Sequence, residues 1–422
     1  MPKSRLFTYE NGLLFLLGLT FGFLFFDRNA AGFLVPLIAP DLHLSNWQIG
    51  WLSSGLSITW AISAYVFGAW SDRSGIRKPF LIVCVVTFSA CSFLSGLAGS
   101  FAMLLAARML MGLAEGPFLP VALSIMATES GEGRRAVNMG VVQNFFSALL
   151  GSFAVPLFLV PLAEHFSWRV SFFVAGIPGL ICAVLIALYV REPAPSRVAA
   201  ASAGSASIGP LAMLKVRNVW LCSLISCCMV AWMVLGWAFL PNYFVAYRHI
   251  PATEMGYLMS PLGVCAAFAG FAIPALSDRI GRKPVMITFC LLAVLTPLAA
   301  LFFSGPLPLL SALMLVGWLA AGTFPLYMGT IPAESTSPKL IATAMGLVVG
   351  IGEIIGGVGA PLLAGWAADQ TTLRTAILIE AGCALAGGLL ALGLVETAPA
   401  RKMGTDLFSP GSVGTSDRLK RK

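Results

Sequence analysis

Gly68-Ala-Trp-Ser-Asp72-Arg73-Ser-Gly75-Ile-Arg77-Lys78-Pro79 is echoed later in the chain as Pro274-Ala-Leu-Ser-Asp278-Arg279-Ile-Gly281-Arg282-Lys283-Pro284, with the two aspartates 206 residues apart. One echo of a charged turn carries little weight, so its spacing is the test. Gly116-Pro-Phe-Leu-Pro120, ending in Ala127-Thr-Glu129-Ser130, returns as Gly322-Thr-Phe-Pro325, ending in Pro332-Ala-Glu334-Ser335, at 205 to 206 residues. Ala136-Val-Asn-Met-Gly140 returns as Ala342-Thr-Ala-Met-Gly346, again at 206. Three matches at one spacing define an internal duplication.

What lies between the echoes sets the solvent. The 422 residues are 58% hydrophobic and 10% charged, whereas a soluble protein carries roughly 25% charged residues. A membrane-spanning helix needs about 20 largely apolar residues. Twelve runs of that size follow one another, at 11–40, 47–70, 79–98, 101–127, 137–162, 170–190, 218–245, 255–276, 284–304, 308–331, 340–367 and 374–395. The basic tip and apolar stretch at the start resemble a secretion signal. That stretch runs on across Asp27-Arg28 to Pro40, too long for a signal's core, and is expected to be an uncleaved first helix.

The predicted fold class is an all-α membrane protein of twelve transmembrane helices in two pseudo-symmetric six-helix bundles. Residues 1–190 form the first bundle, 191–217 a cytoplasmic linker, 218–396 the second bundle and 397–422 a cytoplasmic tail. The linker, from Glu192 to Leu211, is rich in Ala, Ser, Pro and Gly and reads as a flexible connection. Two bundles in the same orientation are related by an axis along the membrane normal, which puts a substrate cavity between them near the midplane.

The net charge of +8 invites a nucleic-acid reading, so the location of the charges decides. With the N-terminus inside, 21 of the 26 Lys and Arg residues fall in cytoplasmic segments; Arg169, Arg248 and Arg374 lie outside, and Arg28 and Arg108 within the membrane. That is the positive-inside pattern. It predicts a multi-pass protein of the cell (inner) membrane with both termini cytoplasmic, and the basic tail is read as a solvated or lipid-touching end, with no nucleic-acid partner. All nine cysteines fall within the spans, so neither a disulfide framework nor a metal knuckle is implied.

The Asp-Arg-x-Gly-Arg-Lys loop in both halves, the twelve spans and the long middle linker resemble the major facilitator superfamily over nearly the whole chain. The resemblance implies that Asp72, with Arg73 and Arg77, meets the start of the eleventh helix and helps close the cytoplasmic side, a favourable place for a carboxylate. Gly68 opens that motif. Asp278, Arg279 and Arg282 are the corresponding gate residues of the second copy, where Pro274 replaces the opening glycine. The alternative reading is a loop that only anchors topology.

A charge at mid-bilayer costs about 2.5–3.5 kcal/mol even on the lenient insertion scale, so each needs a partner or a wet cavity. The first span holds Asp27 and Arg28, the fourth Arg108 and Glu115, the eleventh Glu353 and the twelfth Glu380. Arg108 and Glu115 are seven residues apart, hence on one helix face and separated by about 10 Å in height. The repeat offset places Met233, Val234, Met314 and Ala321 opposite the four charges of the first half, so the halves have divided the labour. An arginine fork can hold a carboxylate, and desolvation favours the protonated form of an acid. Permanent pairs, Asp27–Arg108 or Arg28–Glu115, that merely hold the first and fourth helices together are the alternative.

Leu24-Phe25-Phe26-Asp27-Arg28 and Arg108-Met-Leu-Met-Gly-Leu-Ala-Glu115 also resemble a narrower branch, the anion:cation symporters of sugar acids and related carboxylates. The resemblance implies that Asp27 and Glu115 are protonation sites and that Arg28 and Arg108 deal with the anion. Leu24 and Phe25 stand where those relatives place Asn and Tyr, which favours an aromatic or short aliphatic acid over a sugar acid. Gln143 and Asn144 are further candidates for substrate binding, because a buried amide in lipid needs hydrogen-bond partners. Tyr327 is another, with Trp232, Trp237, Trp318 and Phe324 as wider possibilities. Glu353, in Gly350-Ile-Gly352-Glu353-Ile-Ile-Gly356-Gly357, is read as a third proton or cation site, or as a polar clamp in a close helix crossing. His43, His165 and His249 map to outer loops. The expected function is proton-coupled symport of a small organic anion by a monomer, with no catalytic residue, metal or cofactor beyond the coupling H+. Export or anion exchange on the same fold is the alternative, and a non-transporting receptor is a third reading that the intact charge set opposes.

Overall fold

The computed structural model describes residues 8–74, 76–131, 133–192, 210–337 and 340–398. Among the described residues, twelve long helices alternate in direction. The first bundle comprises α1 (Tyr9–Asp41), α2 (Asn46–Ser74), α3 (Lys78–Gly96), α4 (Phe101–Glu129), α5 (Val137–His165) and α6 (Trp168–Tyr189). The second comprises α7 (Arg217–Tyr247), α8 (Ala252–Ile280), α9 (Arg282–Phe302), α10 (Leu307–Glu334), α11 (Thr343–Gln370) and α12 (Leu373–Ala391). Eleven of the twelve are long and apolar enough to cross a bilayer. The exception, α2, is 29 residues long but diluted by Ser53, Ser54, Ser57 and Thr59, and Ser54 is spent on the other bundle.

In a hydrocarbon layer every backbone polar group must be satisfied within its own segment, so helices are the form these runs take. Large apolar side chains point outward as well as inward, Leu188 at 80% and Phe158 at 66% exposure, as lipid contact demands and water would penalise. The linker differs from expectation at its end, where Pro210–Lys215 forms a short 3-10 helix that leads into α7. Residues 193–209 of the linker and the tail from 399 lie outside the described residues.

The bundle ends fall on two faces. On the face that carries Tyr9, Glu192 and Glu396, here the terminal face, each bundle ties its last helix to its third. Glu192 accepts from the backbone N–H groups of Arg77 at 2.6 Å and Lys78 at 3.0 Å, which open α3. Glu396 does the same for Arg282 at 2.8 Å and Lys283 at 3.2 Å, which open α9. Burial alone would push the Glu396 carboxyl up, but the N–H groups of Ala398, Arg282, Lys283 and Thr397 outweigh it and hold the acid below its ordinary range. A helix start offers unpaired N–H groups and a positive dipole end, so a carboxylate is the natural cap.

On the opposite face the carboxylates join one bundle to the other. Asp369, at the end of α11, accepts from Asn46 N–H at 2.8 Å and Trp47 N–H at 2.9 Å at the start of α2. Glu164, at the end of α5, accepts from Thr253 N–H at 3.3 Å and from the Thr253 hydroxyl at the start of α8. Both crossings need glycine. A Cβ at Gly256 would lie 2.6 Å from the Pro156 carbonyl oxygen, and one at Gly50 would collide with the Pro361 carbonyl. His43 and His249, 206 residues apart, both turn the chain with positive φ, 49° and 56°, just before the capped starts of α2 and α8. Among the described residues the hydrogen bonds between bundles all belong to this half: these two caps and Ser54 Oγ to the Val358 carbonyl at 2.7 Å. Toward the terminal face, a Cβ at Gly346 or Gly350 of α11 would meet open space.

Candidate functional site

The four charges of the first bundle converge where α1 crosses α4. The fourth span is broken there: its first segment ends at Glu115, Gly116 packs on the Trp60 carbonyl, Pro117 has no N–H to give, and the helix restarts at Phe118. Asp27, Arg108 and Glu115 are buried, and Arg28 keeps 19% of its side chain exposed.

The two arginines do different things. Arg108 spends its fork on the backbone of α1, with Nη1 donating to the Asp27 carbonyl at 3.3 Å and Nη2 to the Arg28 carbonyl, while Nη1 also lies 3.2 Å from Met111 Sδ. A helical carbonyl has a second lone pair for such a donor. Arg28 turns the other way. Its Nη1 stands 3.6 Å from Glu115 Oε2, too long for a hydrogen bond, and its Cζ lies 5.5 Å from the Phe25 ring and 5.4 Å from the Trp60 ring. Glu353 of α11, in the other bundle, is a further acid within electrostatic reach of Arg28.

Of the two pairings expected from the sequence, Arg28–Glu115 is present as a loose contact. Asp27–Arg108 is not a side-chain ion pair, because Arg108 holds the Asp27 carbonyl instead of its carboxylate. Asp27 Oδ1 is bonded to Ser92 of α3 at 2.7 Å, Oδ2 has no partner, and both Glu115 oxygens are likewise unbonded. The first bundle thus holds two buried acids that make no hydrogen bond to a cation and one cation with unspent donors.

The other candidates sit as follows. Gln143 and Asn144 are exposed on a π-helical stretch of α5, Val141–Phe145, and Asn144 Nδ2 donates to the Gly140 carbonyl at 3.3 Å. Glu353 opens another π stretch, Glu353–Gly359, where a Cβ at Gly357 would come within 2.7 Å of the Glu353 carboxylate. Tyr327 is buried beside Phe324, ring centroids 5.2 Å apart, and its hydroxyl has no partner. Trp232 and Trp318 are buried against each other at 4.6 Å, with Trp232 Nε1 donating to the Ala293 carbonyl, so they pack the second bundle. Trp237 packs on Trp318 and reaches Phe33 of α1, 5.6 Å away. Glu380, also buried with both oxygens unbonded, lies behind this group beside Gly236.

The side chains of Gly68, Asp72 and Arg73 lie outside the described residues. Arg77 is buried, with Nη1 3.5 Å from the Ser124 carbonyl. In the second copy Arg282 pairs with Asp278 at 2.5 Å and Glu334 at 2.9 Å, all within its own bundle, and Arg279 is exposed. The expected gate residues of the second half therefore brace α8 to α9 and α10 in this conformation. The sequence reading missed Ser92, Trp60, and the four capping carboxylates. The last had a signal: Glu164 and Asp369 are 205 residues apart, and Glu192 and Glu396 are 204 apart.

Two duplicated bundles, joined by helix caps on one face and with buried charges between their ends, have the architecture of a membrane transporter. The chain belongs to the Major Facilitator Superfamily, whose family model matches residues 17–241 and 221–413. It is similar to a probable 4-methylmuconolactone transporter of Cupriavidus pinatubonensis, 29% identical over 78% of each chain. The hexuronate transporter of Bacillus subtilis is 28% identical over 92% of this chain and 95% of its own. The 3-(3-hydroxy-phenyl)propionate transporter of Escherichia coli is 28% identical over 91% of each. Among solved structures, a bacterial homologue of the human lysosomal transporter Spinster, inward-facing and unoccupied, shares the fold with a TM-score of 0.73 at 20% identity, covering 97% of this chain and 100% of that one.

Proposed function

We propose that this transporter carries a small organic anion together with protons, that Arg28 receives the carboxylate, and that Asp27, Glu115 and Glu353 take up the coupling protons. The supporting observation is the uneven use of the two arginines. Arg108 is committed to the α1 backbone, whereas Arg28 is part-exposed, holds Glu115 only at 3.6 Å, and has donors to spare. A carboxylate that binds Arg28 competes with Glu115 and Glu353 for one guanidinium. Proton uptake by those acids removes the competition, which links the two cargoes without a direct contact between them.

The rings of Phe25 and Trp60 beside Arg28 support an anion with an aromatic or short aliphatic body. Relatives named for a ring-bearing acid and for a hexuronate match about equally well, so it is the pocket chemistry that favours the former. The basic segments support cytoplasmic termini; on that reading the face joined by the caps is the outer one and the conformation is inward-open, which the open space at Gly346 and Gly350 supports.

In proteoliposomes an inward proton gradient is expected to drive accumulation of such a carboxylate, and Glu115→Gln to abolish gradient-driven uptake while sparing exchange. Uptake indifferent to pH, or unaffected by that change, would sink the coupling. Screening carboxylates for thermal stabilisation identifies the ligand, since binding to the folded state raises Tm.

A further inference from the structure

Ser92 Oγ lies 2.7 Å from Asp27 Oδ1 and 2.8 Å from the Phe172 carbonyl of α6. A hydroxyl has one proton to give. If Asp27 is ionised, both neighbours are acceptors, and one of the two short contacts has no hydrogen in it. If Asp27 carries a proton on Oδ1, each of the two short contacts holds a hydrogen: the Asp27 O–H donates to Ser92 Oγ, and the Ser92 O–H donates to the Phe172 carbonyl.

We propose that Ser92 is a positioning residue that reads the proton on Asp27 and converts it into a hydrogen bond between α3 and α6. The inference rests on the reading of Asp27 as a proton site. Release of the proton from Asp27 leaves a carboxylate that draws the Ser92 O–H toward itself. The α1–α3 bond survives with its direction reversed, and the α3–α6 bond is lost. No covalent bond of the serine changes; only its hydroxyl rotates.

The surroundings leave Ser92 in charge of this acid. The ionisable groups that face Asp27 are Arg108 and Glu115 from α4, Cys91 from α3, and Arg28 on its own helix. The nearest cation, Arg108, has given its fork to the Asp27 and Arg28 carbonyls, so Ser92 is the hydrogen-bond partner of the carboxyl itself, through Oδ1, and Oδ2 has none. From α6 the group in reach is the Phe172 carbonyl, which belongs to the backbone and does not titrate. The crossing is also tight: one turn beyond Phe172, a Cβ at Gly176 would stand 3.0 Å from the Ser89 carbonyl and 3.2 Å from Ser92 Cβ. A change in what Ser92 donates to therefore acts directly where α3 and α6 touch.

The test is a pH titration of the full-length protein in lipid nanodiscs, followed by difference infrared spectroscopy of the carboxylic C=O band that Asp27→Asn removes. A hydrogen bond to a charged acceptor is worth more than one to a neutral acid, so Ser92→Ala is expected to raise the midpoint by about one pH unit, a roughly tenfold shift in proton affinity. Ser92→Thr keeps the hydroxyl and is expected to restore the wild-type midpoint. Ser92→Cys, a weaker donor, gives an intermediate value and serves if the alanine variant does not fold. An unchanged midpoint in Ser92→Ala or Ser92→Cys, failure of Thr to restore it, or absence of a titrating Asp27 band overturns the proposal. A shifted midpoint together with transport that ignores a proton gradient leaves the Ser92 relay standing and overturns the coupling.

Discussion

At their ends the two bundles meet the same need in the same way, whereas at mid-depth they differ. Glu192 and Glu396 cap α3 and α9 at related positions, and Asp369 and Glu164 cap α2 and α8. Between those rims, Asp27, Arg28, Arg108 and Glu115 have Met233, Val234, Met314 and Ala321 as repeat mates, and Glu353 has Ser147. The physical reason lies in what each region must satisfy. Every helix start has unpaired N–H groups whatever the protein does, so both copies keep their caps. A charge at mid-bilayer is costly wherever it stands, so it stays only where something uses it. Here that is one crossing in the first bundle, with Glu353 its counterpart in the second, whose other buried acid, Glu380, lies apart beside Gly236.

The contrast breaks first at the two arginines. Arg28→Ala is expected to weaken carboxylate binding by about 100-fold or more, because two charge-assisted hydrogen bonds go with it, and to abolish the ligand's effect on Tm. Arg108→Lys is expected to leave affinity within about tenfold while costing on the order of 2 kcal/mol of stability, since an ammonium cannot fork across two carbonyls. Thermal melts and calorimetric titration of the two variants separate the roles; the reverse pattern would assign the anion to Arg108.

A smaller effect is expected at the face joined by the caps. Glu164→Ala with Asp369→Ala removes both cross-bundle caps, each worth about 1 kcal/mol. Hydrogen exchange should rise at the starts of α2 and α8 and fall at the terminal-face ends of the same helices as the population swings. Faster exchange confined to the substituted ends would make the caps local features. The single variants should each give about half the shift, because the two seals stand on different helix pairs.

Smallest is the clamp at Glu396. Its folded carboxyl sits below the ordinary glutamate range, so its contribution to stability is fully present above about pH 4.3 and is lost as pH falls through the folded value. Glu396→Gln should flatten that acid limb of a Tm-against-pH curve and leave the neutral region nearly level. An unchanged limb would mean the clamp holds geometry without contributing to acid stability.

Much of the site was legible before any coordinates. The four charges of α1 and α4 stand out because a bilayer admits so few, and their asymmetry follows from the repeat offset. Glu353 stands out for the same reason. Ser92 was hidden because a serine in a spanning helix usually bonds its own backbone, as Ser95 does with the Cys91 carbonyl. Trp60 was hidden among other aromatics until Arg28 pointed at it.

The sequence by itself determined the solvent, the number and order of the helices and the duplication, because bilayer thickness sets the length of an apolar run and a repeat leaves its spacing in the chain. What the fold alone settles is which arginine keeps its hydrogen-bond donors unspent. Arg28 and Arg108 are the same residue type in the same medium, and what separates them is a pair of backbone carbonyls on α1, acceptors that every residue carries and no sequence marks.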